Sequence, residues 1–211
     1  MDVAMVDQLE ETLLTTTKPD PNIPQCCVIA FKPRYAVSFQ HGPHSKFKVG
    51  EEVILYSVIR PQVEYKTIVQ AMCDVNDVIV FELKNKVEFD SFATELGCIT
   101  RCQRYYQLGV NEIRRPTWKD GIIAETHFSF FVGTTHGRQG DSGSAIYNET
   151  GRFLGIAVGK KNLQVQDRRM LSLSEVADHH PVIKIISSSV ISGVMAATHQ
   201  KFEPPRKKTK L

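Results

Sequence analysis

From Gln25 onward the chain reads as short runs of Val, Ile, Phe and Tyr separated by Gly, Pro, Asn and Asp. Brief apolar or alternating runs bounded by turn formers are strand signals, whereas an amphipathic helix needs a 3.6-residue period sustained over a longer window. The pattern predicts strands at Cys26–Lys32, Tyr35–Gln40, Glu52–Ile59, Tyr65–Cys73 and Val78–Leu83. After a polar connection it predicts Cys98–Leu108, Ile122–Val132, Ser144–Asn148 and Phe153–Val158. Strands at this spacing, with no helical pattern between them, predict an all-β sandwich or barrel.

The ends read differently. Met5, Leu9, Leu13 and Leu14 have helical spacing, and Pro19, Pro21 and Pro24 then break the chain, so residues 1–24 are expected to form an N-terminal arm outside the main fold. The connection after Phe92 predicts a seam between a first lobe, 25–92, and a second lobe, 93–182. Residues 183–211 are read as a C-terminal extension ending in a basic tail, Pro204–Leu211. A short C-terminal helix is expected around Ser174–Ala177, limited by Pro181.

Composition narrows the class. The 211 residues are 42% hydrophobic and 23% charged, which excludes a disordered or fibrous chain. The formal charge of +3 is smaller than the tail's own contribution from Arg206, Lys207, Lys208 and Lys210, so the body is close to neutral. No stretch reaches the roughly 20 apolar residues of a membrane span. Acidic Asp2, Asp7, Glu10 and Glu11 occupy positions where a secretory signal needs a basic and then an apolar region. Five cysteines, two of them adjacent at Cys26-Cys27, do not form a disulfide framework, and the chain is read as belonging to a reducing compartment.

The chemistry concentrates at Gly137–Ser144, which contains Gly140-Asp141-Ser142-Gly143. Gly140 permits a turn that brings its own N–H and that of Ser142 into one pocket, and Gly143 keeps the crowded side free of a side chain. Two convergent N–H donors stabilise the oxyanion of a tetrahedral intermediate, each donor being worth about 2.7–4 kcal/mol of barrier. A serine is a weak nucleophile until a base takes its proton, so a histidine and an orienting carboxylate are expected elsewhere. Tyr35–Gln40 ends in His41, and Asp77 stands at the mouth of the apolar run Val78–Leu83.

These three segments, in the order His, Asp, Ser, resemble the chymotrypsin-like (trypsin-like) serine protease superfamily. Gly140–Gly143 matches its Gly-Asp-Ser-Gly motif in full, Asn76–Leu83 resembles its Asn-Asp-Ile-Ala-Leu-Leu-x-Leu pattern, and Ser38–His41 resembles its Thr-Ala-Ala-His, with Ser for Thr and bulkier residues between. Phe153–Gly159 resembles the strand lining the primary specificity pocket. The resemblance covers about residues 25–182 and implies two antiparallel six-stranded β-barrels of chymotrypsin type, with the first carrying His41 and Asp77 and the second Ser142. It implies an endopeptidase with His41, Asp77 and Ser142 catalytic and the Gly140 and Ser142 N–H groups as the oxyanion hole. His136, Gln139, Val158 and Gly159 are then expected to bind the substrate, with His136 and Arg138 hinting at a polar or acidic preference. Separations of 36 and 65 positions between the three groups are compact, closer to intracellular or viral members than to secreted digestive ones.

Two rivals and one departure accompany that reading. His44 is an alternative base and Asp74 an alternative carboxylate, although the strand ends better at His41 and the apolar run begins directly after Asp77. Secreted relatives pair the Asp before the nucleophile with a new N-terminus. No Ile-Val-Gly-Gly-like start is found here, so Asp141 is expected to use Arg138, Lys160 or backbone N–H groups and the hole to form without proteolysis. Cys98, Cys102 and His179-His180 lack a familiar zinc spacing, and the two cysteines are read as free thiols buried in the fold, so neither metal nor cofactor is expected.

A protein or peptide substrate is the expected partner. The tail resembles a nuclear import signal, which would make an import receptor a partner and the nucleus or cytoplasm the location, or else a patch for nucleic-acid phosphates. The reading of a different class is the same double barrel with a lapsed triad, serving as a binding module for protein or nucleic acid.

Overall fold

The computed structural model of the protein describes residues 1–18, 26–85, 87–135, 137, 140–160 and 183–202. The expected Ser174–Ala177 helix, His179-His180 and the basic tail lie outside these. Helix α1 (Val3–Glu10) is followed by strands β1 (Leu13–Thr15), β2 (Cys27–Lys32), β3 (Tyr35–Ser38), β4 (Glu52–Ser57), β5 (Glu64–Cys73) and β6 (Val78–Leu83). A 3₁₀ turn, Gly42–Lys46, sits between β3 and β4. Strands β7 (Arg104–Val110), β8 (Pro116–Thr126), β9 (Phe131–Gly133), β10 (Ala145–Tyr147), β11 (Phe153–Lys160) and β12 (Ile183–Ser187) follow, then helix α2 (Ser188–Phe202). The strands close into two antiparallel barrels, ordered β1-β2-β3-β6-β5-β4 and β10-β11-β12-β9-β8-β7.

Side-chain parity explains this layout. Successive strand residues face opposite sides, and in β2 both sides are covered. Val28 and Ala30 join Ala36, Leu55, Val69, Ile79 and Phe81 inside the first barrel. Cys27, Ile29 and Phe31 point the other way, into a core shared with Leu108, Tyr147, Phe153 and Ile156 of the second barrel. Phe31 and Phe153 meet across the seam with ring centroids 5.8 Å apart. The second barrel encloses Tyr105, Ile123, Ile146, Leu154, Ala157, Ile183 and Ile185. Strands at the seam therefore read as continuous apolar runs, while β5 and β8, with one wet face, alternate.

Two expected boundaries are corrected. Residues 1–18 are not an arm outside the fold: Leu13–Thr15 pair with Cys27–Ile29 on one side and with Tyr56 and Ser57 on the other, closing the first barrel. Leu13 and Leu14 are fully buried because they supply the barrel's missing strand rather than a helix face. The helix ends before them, begun by Asp2, whose Oδ1 accepts the Met5 N–H at 2.8 Å. The segment also spans the seam, since Thr12 Oγ1 lies 3.0 Å from the Tyr147 hydroxyl and Trp118 Nε1 donates to Glu10 Oε1 at 2.8 Å.

The second barrel likewise does not stop at 182. Ile183–Ser187 form β12, hydrogen-bonded between β11 and β9. Helix α2, a segment the sequence pattern did not predict, lies against β5, β11 and β12, and its Ile191 and Met195 enter the shared core. Among the described residues no helix is long and apolar enough to cross a membrane.

Candidate active site

The first barrel brings two groups to the seam. After β3 the chain runs through Phe39 and Gln40 to His41, whose ring lies 4.5 Å from that of Phe39. Asp77 closes the tight β5–β6 turn, with its N–H bonded to the Asp74 carbonyl and a φ of +55° that Asp tolerates better than most residues. Its carboxylate faces the end of β3. Oδ1 accepts the Gln40 N–H at 3.0 Å and the His41 N–H at 2.9 Å, and Oδ2 lies 2.6 Å from His41 Nδ1.

The second barrel supplies Ser142, in the connection between β9 and β10. Gly140 and Gly143 take φ values of +94° and +85°, the left-handed region that glycine enters without strain. Gly143 also packs where no side chain fits, since a Cβ there would stand 2.0 Å from the Cys27 carbonyl oxygen of β2. The Gly143 N–H donates to the Ala157 carbonyl at 2.6 Å and the Ser144 N–H to the Asp141 carbonyl at 3.0 Å. So clamped, the turn sets Ser142 Oγ 3.3 Å from His41 Nε2.

The proton positions follow from the partners. A carboxylate only accepts, so Nδ1 of His41 carries the hydrogen it shares with Asp77 and Nε2 presents its lone pair to Ser142. The His41 side chain is 48% exposed and that of Asp77 21%, so the pair is partly open to solvent. Sequence reasoning thus selected three residues, from separate stretches, that the structure brings into one hydrogen-bonded row.

The rivals have other duties. His44 is fully buried, its Nδ1 donating to the Phe39 carbonyl at 2.8 Å and its Nε2 2.9 Å from Thr16 Oγ1. Burial pushes its pKa down to about 4, so it stays neutral in the core. Asp74 accepts the Gln40 side-chain amide. Cys27 lies beneath the Ser142 turn, its Sγ 3.5 Å from the Gly140 carbonyl, and burial pushes that thiol up to about 12, so it stays protonated.

Of the expected substrate-binding residues, His136 and Gln139, with Arg138, lie outside the described residues. The Val158 side chain is buried in the shared core, and the β11–β12 register shifts between Ala157 and Gly159. Gly159 has open space where a side chain would stand. Cys98 and Cys102 are exposed free thiols in the β6–β7 connection, not buried strand residues, because β7 begins only at Arg104. Among the described residues no cluster of His, Cys, Asp or Glu has the arrangement of a metal site.

Sequence reasoning missed Lys119. Its Nζ lies 2.5 Å from Asp141 Oδ2, a pairing between β8 and the Ser142 turn that no local motif encodes.

No protein-family model matches the sequence, and no curated protein matches it. Solved structures do. The inactive form of a serine-to-alanine mutant of Rv3671c from M. tuberculosis H37Rv aligns with a TM-score of 0.67 at 12% identity, over 95% of this chain and 92% of that one. The MamO protease domain from Magnetospirillum magneticum aligns with a TM-score of 0.64 at 10% identity, over 89% and 97%. A serine endoprotease from Yersinia pestis gives 0.68 at 14% identity, over 93% of this chain and 65% of that one. With its two closed six-stranded barrels, the chain has the chymotrypsin-like fold.

Proposed function

We propose that the protein is a serine endopeptidase. The observation that carries this reading is the row from Ser142 Oγ to His41 Nε2, 3.3 Å, and from His41 Nδ1 to Asp77 Oδ2, 2.6 Å. A nucleophile–base distance slightly beyond ideal is usual for a site without substrate. In this reading Ser142 Oγ attacks the scissile carbonyl carbon while its proton passes to Nε2. Asp77 keeps the ring in the tautomer that accepts there and stabilises the imidazolium that results. The displaced electron pair settles on the carbonyl oxygen. In the turn, the N–H groups of Gly143 and Ser144 are already bonded within the fold, and those of Gly140 and Ser142 are assigned to the oxyanion.

Collapse of the intermediate breaks the C–N bond, and His41 returns its proton to the leaving amine. Water then attacks the acyl carbon and gives a proton to His41; collapse breaks the ester, releases the carboxylic acid product, and His41 returns that proton to Ser142 Oγ. In this reading a peptide substrate runs along β11 at Gly159, where a side chain would meet open space. The intact hydrogen-bond row supports a working site over a lapsed binding module.

Fluorophosphonate labelling tests the proposal. The wild-type protein is expected to be labelled at Ser142, and Ser142→Ala, still folded by circular dichroism, is expected to take no label. Labelling that persists in Ser142→Ala, or a folded wild type that is never labelled, refutes it.

A further inference from the structure

The hydrogen bonds that meet at Asp77 have a second limb, running away from Ser142 into the first barrel. Asp77 Oδ1 accepts the Gln40 N–H at 3.0 Å. The other end of that peptide plane is the Phe39 carbonyl, which lies 2.8 Å from His44 Nδ1. A carbonyl only accepts, so the His44 hydrogen is on Nδ1, with Ser38 Oγ a longer second neighbour at 3.4 Å. Nε2 then presents its lone pair to the Thr16 hydroxyl at 2.9 Å. The limb therefore runs from Thr16 through His44 and the Phe39–Gln40 peptide to Asp77.

In a trans peptide the C=O and N–H point in opposite directions. A donor that fixes the Phe39 carbonyl therefore also fixes the direction in which the Gln40 N–H is offered to Asp77. The same carboxylate takes the His41 N–H at 2.9 Å and its ring Nδ1 at 2.6 Å, so a tilt of this one plane is passed on to His41. The surroundings of His44 hold it still. It is fully buried, its ring stacked on Phe39 at 4.6 Å and on Phe47 at 5.5 Å, and Phe39 in turn packs against the His41 ring at 4.5 Å. Hydrogen bonds linked in series in such a setting polarise and strengthen one another.

We propose that His44 is a positioning residue for the proposed base: its Nδ1–H holds the Phe39–Gln40 peptide so that Asp77, and through it the His41 imidazole, keep the orientation that faces Ser142. This rests on the serine-hydrolase reading above and adds the internal support of its base. No proton is transferred along the limb; each hydrogen stays on its donor, and His44 acts through geometry alone.

The test uses the whole chain and a fluorophosphonate probe, with the maximal inactivation rate and the probe's half-saturating concentration measured separately. In His44→Asn the amide N–H stands where the Nδ1–H stood and still reaches the Phe39 carbonyl. In His44→Gln the amide extends to the Nε2 end, towards Thr16, and the carbonyl loses its donor. Both variants lose the stacked ring, so both are expected to melt below the wild type by similar amounts. His44→Gln is expected to lower the maximal rate by about 10–100-fold, the range for a misplaced reacting group, with half-saturation little changed. His44→Asn is expected to stay within about threefold of wild type, the scale of one weakened hydrogen bond. Should neither variant fold, Thr16→Val, which removes only the hydroxyl behind the imidazole, is expected to slow the maximal rate by about threefold or more.

A His44→Gln protein labelled at the wild-type maximal rate overturns the proposal while leaving the serine reading intact. So do His44→Asn and His44→Gln rates that fall together in step with stability, which is what a merely structural role would give. Where Thr16→Val is the variant read, a wild-type rate has the same force. A folded wild type that takes no label defeats the parent reading and this one with it.

Discussion

Asp77 grips His41 at two points, its Oδ1 accepting the backbone N–H at 2.9 Å and its Oδ2 the ring Nδ1 at 2.6 Å. One carboxylate therefore fixes both where the residue sits and how its ring is turned. Oδ1 also takes the Gln40 N–H at 3.0 Å, so the end of β3 and the β5–β6 turn are tied together by the same group that would stabilise the imidazolium. Structure and proposed chemistry meet in a single side chain.

That division of labour makes Asp77→Asn informative. An Asn oxygen still accepts the two backbone N–H groups, and Asn tolerates the positive φ of this turn. Its amide, however, donates where the carboxylate accepted, which favours the tautomer with hydrogen on Nε2 and removes the lone pair facing Ser142. The expected result is a melting temperature within a few degrees of wild type and labelling or hydrolysis slowed by about 10⁴-fold. Rates within tenfold of wild type would show that Asp77 is not the orienting group.

The candidate site was legible because each of its parts is local: a glycine-bracketed serine, a histidine ending a strand, an aspartate opening an apolar run. What was misread depends on distant partners. Leu13 and Leu14 continue the spacing of Met5 and Leu9, so they look helical until β2 and β4 are present to pair with them. Ile183–Ser187 follows Pro181 and reads as the start of an extension, yet it is the strand that joins β11 to β9. The predicted strand Ile122–Val132 merges the end of β8 with β9, because the hairpin at His127–Phe130 carries no Gly or Pro to mark it. Lys119 was invisible for the same reason: an ion pair across strands leaves no trace in either neighbourhood.

Leu13→Ala separates a barrel strand from a dispensable arm. Leu13 is fully buried opposite Ile29, and its carbonyl accepts the Val58 N–H at 3.1 Å. Truncating a buried leucine loses transfer energy and leaves a cavity, together about 2–5 kcal/mol. Urea unfolding should show that loss. A change under half a kilocalorie would mean that residues 1–18 contribute nothing to the barrel.

His44 gives the fold a stability that declines in acid. Burial lowers its pKa from 6.5 to about 4, the hydrogen bond to the Phe39 carbonyl only partly opposing this. As the pH falls from 6.5 towards 4 the unfolded chain takes up a proton that the folded protein refuses, so the unfolded state gains. Above pH 6.5 the effect is absent, and below 4 it levels off with roughly 3 kcal/mol lost. Urea midpoints measured between pH 7 and 4.5 should fall for the wild type more steeply than for His44→Gln. Parallel pH profiles would contradict the assignment of a neutral buried imidazole.

Gly143→Ala tests how tightly the two barrels are fitted behind Ser142. The added Cβ must accept a φ of +85° and would stand 2.0 Å from the Cys27 carbonyl oxygen and 2.8 Å from Ser38 Oγ. Neither neighbour is free to retreat: Cys27 lies in β2, and Ser38 Oγ donates to that same carbonyl at 2.6 Å. Left-handed backbone costs about 1–2 kcal/mol for a residue with a Cβ, and the contact with main chain adds to it. The relief open to the protein is to lift the turn, which carries Ser142 away from His41. The expected outcome is a melting temperature lower by about 6 °C or more and a labelling rate reduced further than the folded fraction explains. A variant that melts within two degrees of wild type and labels at the same rate would show that the turn does not press against β2.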